Sequence, residues 1–259
     1  MPVPPFAHAR SCNPWASGRP RRFARSAIVA FAIAPFCCAA HADRTLDNLF
    51  LHIVAHEMGH AFIREFDLPI TASEEAMADA FAVVALHAVQ PERLADIVAD
   101  RVAAHLEDDD DVDAFSEYPP AAQRAGSALC LTLALDPERY AGLADRFGLQ
   151  GERATRCLDY SAEIVRGWRR TIAPYRMPEG ARVTETAFQM ADDVRIDGRP
   201  DDGAISDAMT MLAGIDWHSL ITLVLERCDG GANWSRNGRT ITVCDDYLVR
   251  IAAQAKAWR

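Results

Sequence analysis

His56-Glu57-Met58-Gly59-His60 stands inside a stretch whose apolar residues recur at helical spacing: Leu46, Leu49, Phe50, Ile53 and Val54 lead in, and Ala61, Phe62 and Phe66 follow. The spacing predicts a helix over 43–66. On a helix His56 and His60 lie one turn apart, so both imidazoles leave one face and can grip a single Zn²⁺ at ~2.0–2.1 Å. Glu57 sits beside them, where a carboxylate can serve as general base toward a water activated by the metal. Three residue types must coincide at fixed offsets. That makes an ordinary half-buried helix with two chance histidines the weaker reading.

Two histidines leave such a site short, because a catalytic zinc takes three protein ligands and a water. The next candidates are Glu74, Glu75, Asp79 and His87. Glu75 and Asp79 form E-x-x-x-D, again i and i+4 on one helical face. Asp67-Leu68-Pro69 breaks the first helix, since the residue before proline avoids the α region, and the chain can then turn back on itself. Glu75 is the expected third ligand. Asp79 is the expected acceptor for the second ring N–H of a ligand histidine. Glu74, a quarter-turn away, is expected to face solvent. A metzincin would need a histidine six residues after His60, and Phe66 stands there. His52, His87 and His218 read as packed side chains.

The chain has 259 residues, enough for one good core, and its balance of half hydrophobic and a quarter charged residues is that of an ordinary globular protein. Residues 1–42 differ. They hold five arginines and no acid, then an apolar run from Ala27 to Ala40, then Ala40-His41-Ala42. This reads as a secretory signal peptide cleaved after Ala42, leaving 43–259 as one domain exported to a periplasmic or extracellular space. An Arg-rich organellar transit peptide is the competing reading. Without that segment 22 basic residues face 37 acidic ones, a formal charge of −15, which disfavours nucleic acid and anionic membranes. No later stretch is long and apolar enough to span a bilayer. Four cysteines remain, Cys130, Cys157, Cys228 and Cys244. They allow three connectivities, of which the sequence-local pairs Cys130–Cys157 and Cys228–Cys244 are favoured.

Further along, Ser73 is a predicted N-cap with Glu74 and Glu75 in the first turn, opening a buried helix to about His87. Helices are also expected from Pro91, over 121–133, over 137–147 behind Asp136, over 152–172, near 205–212 and 218–227, and over 246–258. The acid run Glu107 to Asp113 reads as a solvated loop. Strands are expected over 181–186 and 240–243, the latter after an Asn237-Gly238 hairpin turn. The fold class is α+β, mostly helical, with a small sheet.

The motif pair resembles the gluzincin class of zinc metallopeptidases. More closely, the chain is similar to an uncharacterised bacterial family described as “putative metallopeptidases”, a domain of unknown function. The matching stretches run from His56-Glu57-Met58-Gly59-His60-Ala61 through Asp67-Leu68-Pro69, Glu74-Glu75-Ala76-Met77-Ala78-Asp79, Gln123-Arg124, Cys130, Asp136-Pro137, Arg153-Ala154, Cys157, Trp168 and Trp234 to Arg239, Ile241 and Cys244, spanning about 49–250. The resemblance implies a zincin-like fold, Zn²⁺ on His56, His60 and Glu75, Glu57 as catalytic base, and a peptide or protein substrate. Where the family tends to have Asp-Glu-His before its Gln-Arg, this chain has Ser116-Glu117-Tyr118. Tyr118 is therefore a candidate donor to the oxyanion, with Arg124 a second. After the last cysteine Asp245-Asp246 replaces Tyr-Glu. The competing reading is an exported metal-binding or protein-interaction domain with an inactive site.

Overall fold

Residues 40–71, 73–108, 116–178 and 186–259 are described by a computed structural model of the chain. Residues 1–39 of the proposed leader, the acid run from 109 onward and positions 181–185 of the expected strand lie outside the described residues.

Helix α1 (Ala40–Glu65) carries the histidine motif through the middle of the protein. It packs against α2 (Glu74–Val89), α3 (Leu94–Leu106), α7 (Asp202–Ala213) and α8 (Asp245–Ala257), and against one end of the sheet. This explains why α1 is apolar on nearly all sides: Leu49, Phe50, Leu51, Ile53, Val54 and Phe62 are all buried. Asp67 ends it in a left-handed conformation (φ 48°), with Leu68 N–H donating to the Ile63 carbonyl at 2.9 Å. Phe66 closes over this turn, its ring 4.0 Å from that of Tyr175 and 4.8 Å from His218.

Ser73 caps α2 as expected, its hydroxyl accepting from Ala76 N–H. The two helices approach closely because position 59 has no side chain. A Cβ there would lie 2.8 Å from the Ala78 Cα. Helices α4 (Ala121–Leu135), α5 (Pro137–Arg146) and α6 (Gly151–Ile172) cover the other side of α2 and α3. Asp136 caps α5 by accepting from Arg139 N–H at 3.1 Å. One disulfide joins α4 to α6 through Cys130–Cys157, and Cys228–Cys244 ties the end of β4 (Thr240–Cys244) to the loop after β2 (Ile221–Glu226).

The sheet has the order β1-β2-β4-β3, with β1 Thr186–Met190, β3 Ala232–Ser235 and β4 Thr240–Cys244. β2 pairs in parallel with both β1 and β4, and β3 runs antiparallel to β4 at the edge. The helix expected over 218–227 is instead β2. Its burial alternates, with Ile221, Leu223 and Leu225 inside, which is the period of a strand. Six residues of mixed pattern suit either state locally; parallel pairing on both sides, between separate segments of the chain, decides for the strand. Of the strand expected over 181–186 only Thr186 is described; it opens β1, which runs on to Met190. Four residues, not two, link β3 and β4, and Arg239 (φ 49°) takes the left-handed position.

Candidate metal centre

His56 and His60 leave α1 on the side that faces the first turns of α2. One ligand atom from each of His56, His60 and Glu75 lies within 4.8 Å of the others. The closer distances are 3.2 Å between the two Nε2 atoms, 3.2 Å from His56 Nε2 to Glu75 Oε2, and 3.3 Å from His60 Nε2 to Glu75 Oε1.

The outer nitrogens decide what these inner atoms can be. His56 Nδ1 lies 2.8 Å from Asp79 Oδ1, and His60 Nδ1 lies 3.1 Å from Glu74 Oε1. A carboxylate only accepts, so each Nδ1 donates and each neutral ring turns a lone pair inward from Nε2. Glu75 Oε2 is buried and has no hydrogen-bond partner although His56 Nε2 is 3.2 Å away. With both rings neutral, three electron pairs converge, and a cation is what such a set fits. Two imidazoles and one carboxylate suit zinc and its borderline-soft neighbours.

Charge around the site follows from this crowding. Burial works against a second proton on His56, but the carboxylates of Asp79 and Glu75 outweigh it and raise the ring to about 9, so a proton and a cation compete for the inner Nε2. Burial likewise opposes ionisation of Glu75, yet the two imidazoles hold its carboxyl down to about 2. Asp79 is ionised, held well below the usual carboxylate range against its burial by His56 and Arg124. Arg124 binds it through Nε at 2.8 Å and Nη2 at 2.7 Å. Glu57 is buried beside the group, and that burial pushes its carboxyl up.

These residues share one cavity of about 520 Å³, whose lining includes His52, Glu57, Arg101, Tyr118, Trp234 and Tyr247. Tyr118 is half exposed at this cavity, while Arg124, also read as an oxyanion candidate, is engaged with Asp79. Glu74 departs from expectation. It faces His60 and pairs with Arg64 rather than projecting into solvent. Its place one residue before Glu75 puts it on the adjoining stripe of α2, and the return of α2 across α1 brings both stripes to the motif. His87 lies away from the site, bonded to the Tyr140 hydroxyl at 3.0 Å. Arg101, Trp234 and Tyr247 were not legible as site residues in the sequence. They come from α3, β3 and α8, and no local pattern links them to the motif.

Fold and site together define a mostly helical α+β domain in which two histidines and a glutamate are close enough to hold one metal ion. The family model described as “Putative metallopeptidase”, a domain of unknown function, matches residues 31–172, more than half of the chain. The chain belongs to this family. The match covers the motif helices and the Cys130–Cys157 pair; Trp234 and the stretch from Arg239 to Cys244 lie outside it. No curated protein and no solved structure matches the chain.

Proposed function

We propose that the chain is a zinc-dependent metallopeptidase of gluzincin type, with a zincin-like fold, His56, His60 and Glu75 as ligands and Glu57 as general base. The observation that carries this reading is the set of three inward electron pairs beside a buried carboxylate that none of them uses. A purely structural metal site has no need of that carboxylate.

Zinc, when bound, supplies a Lewis acid that acidifies water and polarises a carbonyl. Glu57 takes the proton of the attacking water and passes it to the leaving amine; burial raises its affinity for that proton. Asp79 holds the His56 ring in the tautomer that turns Nε2 inward, and Glu74 does the same for His60. Tyr118 donates its hydroxyl to the oxyanion; burial and the charges of Glu75, Glu117 and Glu57 raise its pKa, so it keeps the proton it must donate. Among the described residues β3 has β4 on one side only, and Ala232, Asn233 and Trp234 border the cavity. An extended peptide can add to that free edge as a further strand, which presents its backbone carbonyls to the site.

Residues 1–42 are proposed as a cleaved export signal and 43–259 as the mature domain, in keeping with its two disulfides. Among the described residues no helix is long and apolar enough to cross a membrane. The test is an unbiased peptide library offered to zinc-loaded wild type and Glu57→Gln. Cleavage that vanishes in Glu57→Gln with ~1 zinc per chain retained supports the reading. Zinc binding with no cleavage by either would instead indicate a metal-binding or interaction domain.

A further inference from the structure

Arg101 is a buried cation of α3, 7% exposed, in the wall of the cavity that also holds His56, Glu57, His60 and Glu75. Two other buried charges of this domain are answered. Arg124 has Asp79, and Asp100 has Asn48 and Arg259. Among the described residues no carboxylate lies within ion-pairing distance of the Arg101 guanidinium. Its Nη1 points at the Tyr247 hydroxyl, 3.5 Å away, and its Nε is buried with no partner. The two nearest histidines do not spread the charge. His52 and His105 are held neutral, first by burial and then by Arg101 itself.

An unpaired buried charge is costly, and folded proteins rarely keep one without use. A guanidinium offers a planar fork of donors that matches a carboxylate in two hydrogen bonds. Tyr247 adds a hydroxyl beside it. Glu57 and Glu75 share the cavity, so a single negative charge is tolerated where a doubly charged phosphate would be repelled.

We propose that Arg101, with Tyr247, forms a carboxylate-binding subsite in the wall of this cavity, selecting peptides that carry a carboxylate close to the bond presented to Glu57. The location deepens the peptidase reading and rests on it, but the binding can be measured without cleavage. Two peptide groups offer this chemistry, the free C-terminal carboxylate and the side chain of aspartate or glutamate.

The experiment uses zinc-loaded Glu57→Gln protein, so that ligands bind without being consumed. Three N-acetylated alanine peptides are titrated by calorimetry: one with a free C-terminal carboxylate, its C-terminal amide, and an amide with one internal glutamate. At least one acidic peptide is expected to bind about 10- to 100-fold more tightly than the neutral amide, the range for charge-assisted hydrogen bonds. Preference for the free acid marks a carboxypeptidase-like site; preference for the glutamyl amide marks selection of an acidic side chain. In either case the advantage should collapse when Arg101→Gln is added. It should persist only in part with Arg101→Lys, which keeps the charge and loses the fork. Removing an unpaired buried cation should leave the melting temperature unchanged or higher. Equal binding of all three peptides overturns the proposal. So does an acid advantage that survives Arg101→Gln, which would assign the carboxylate to the metal, and so does unfolding of both Arg101 variants, which would make the arginine structural. Wild-type cleavage without acid preference removes the subsite and leaves the peptidase reading. Arg101-dependent acid binding without wild-type cleavage does the reverse.

Discussion

Substituting Gly59 with alanine tests how α2 is brought to the histidines. Alanine is the better helix former by about 0.8–1.0 kcal/mol, so helix propensity alone makes Gly59→Ala stabilising. The tertiary structure says the opposite. The new Cβ would stand 2.8 Å from the Ala78 Cα and 3.1 Å from its Cβ and carbonyl oxygen. A relaxed carbon contact is about 3.5–4.0 Å, so the helices must part by about 1 Å. The obstacle is backbone and cannot rotate away, which places the overpacking cost in the upper part of the usual range of about 1–3 kcal/mol. The net expectation is a loss of about 1–2 kcal/mol, a fall in melting temperature of about 2–8 °C for a chain of this size. Glu75 lies one turn before Ala78, so the same displacement draws its carboxylate away from His56 and His60. Metal sites tolerate only about 0.2 Å of error in ligand distance, and zinc affinity should fall by about tenfold or more. Thermal melts and zinc competition against a chelator read the two effects. A higher melting temperature with unchanged zinc affinity would refute the reasoning, because propensity would then outweigh contact.

Three further expectations concern single interactions. Asp79→Asn keeps an acceptor for His56 but loses its charge and leaves Arg124 only Glu75, 4.0 Å away; zinc affinity should weaken about 10- to 100-fold by chelator competition, and no change would dismiss the orienting role. His52 and His105 are held neutral well below their usual range by burial and then by Arg101, whereas an unfolded histidine titrates near 6.5. Below that pH the unfolded chain binds more protons, so stability is lost as pH falls, by about 1.2 kcal/mol for each histidine between pH 6 and 5. His52→Leu should remove that much of the slope in urea unfolding at the two pH values, and an unaltered slope would contradict the assignment. Reduction of the disulfides, which close separations of 27 and 16 residues, should cost about 3–4 kcal/mol each; Cys→Ser pairs that melt like the wild type would show that the bridges do not contribute.

Much of this protein was legible in its residues because the signals are local. The helical spacing around His56 and His60, the cap at Ser73, the break at Asp67-Leu68-Pro69 and the cap at Asp136 each depend on a few neighbouring residues. So do the two sequence-local cysteine pairings. Spacing alone also put Glu75 and Asp79 on one helical face. It could not say what that face would meet. Glu74 was read as solvent-facing because periodicity describes a helix in isolation; the close approach at Gly59 turns it toward His60. The segment 218–227 was read as a helix because its partners, β1 and β4, lie in separate segments of the chain and only their parallel pairing gives it the period of a strand. Arg124 became a partner of Asp79, and Arg101, Trp234 and Tyr247 joined the cavity from three separate elements. The sequence by itself determined that His56 and His60 share one helical face with Glu57 beside them, and that Glu75 and Asp79 share another, because those offsets lie within one or two turns of helix. Tertiary structure alone decided that the two faces meet and what surrounds them, since burial, pairing and charge balance arise only when distant segments pack together.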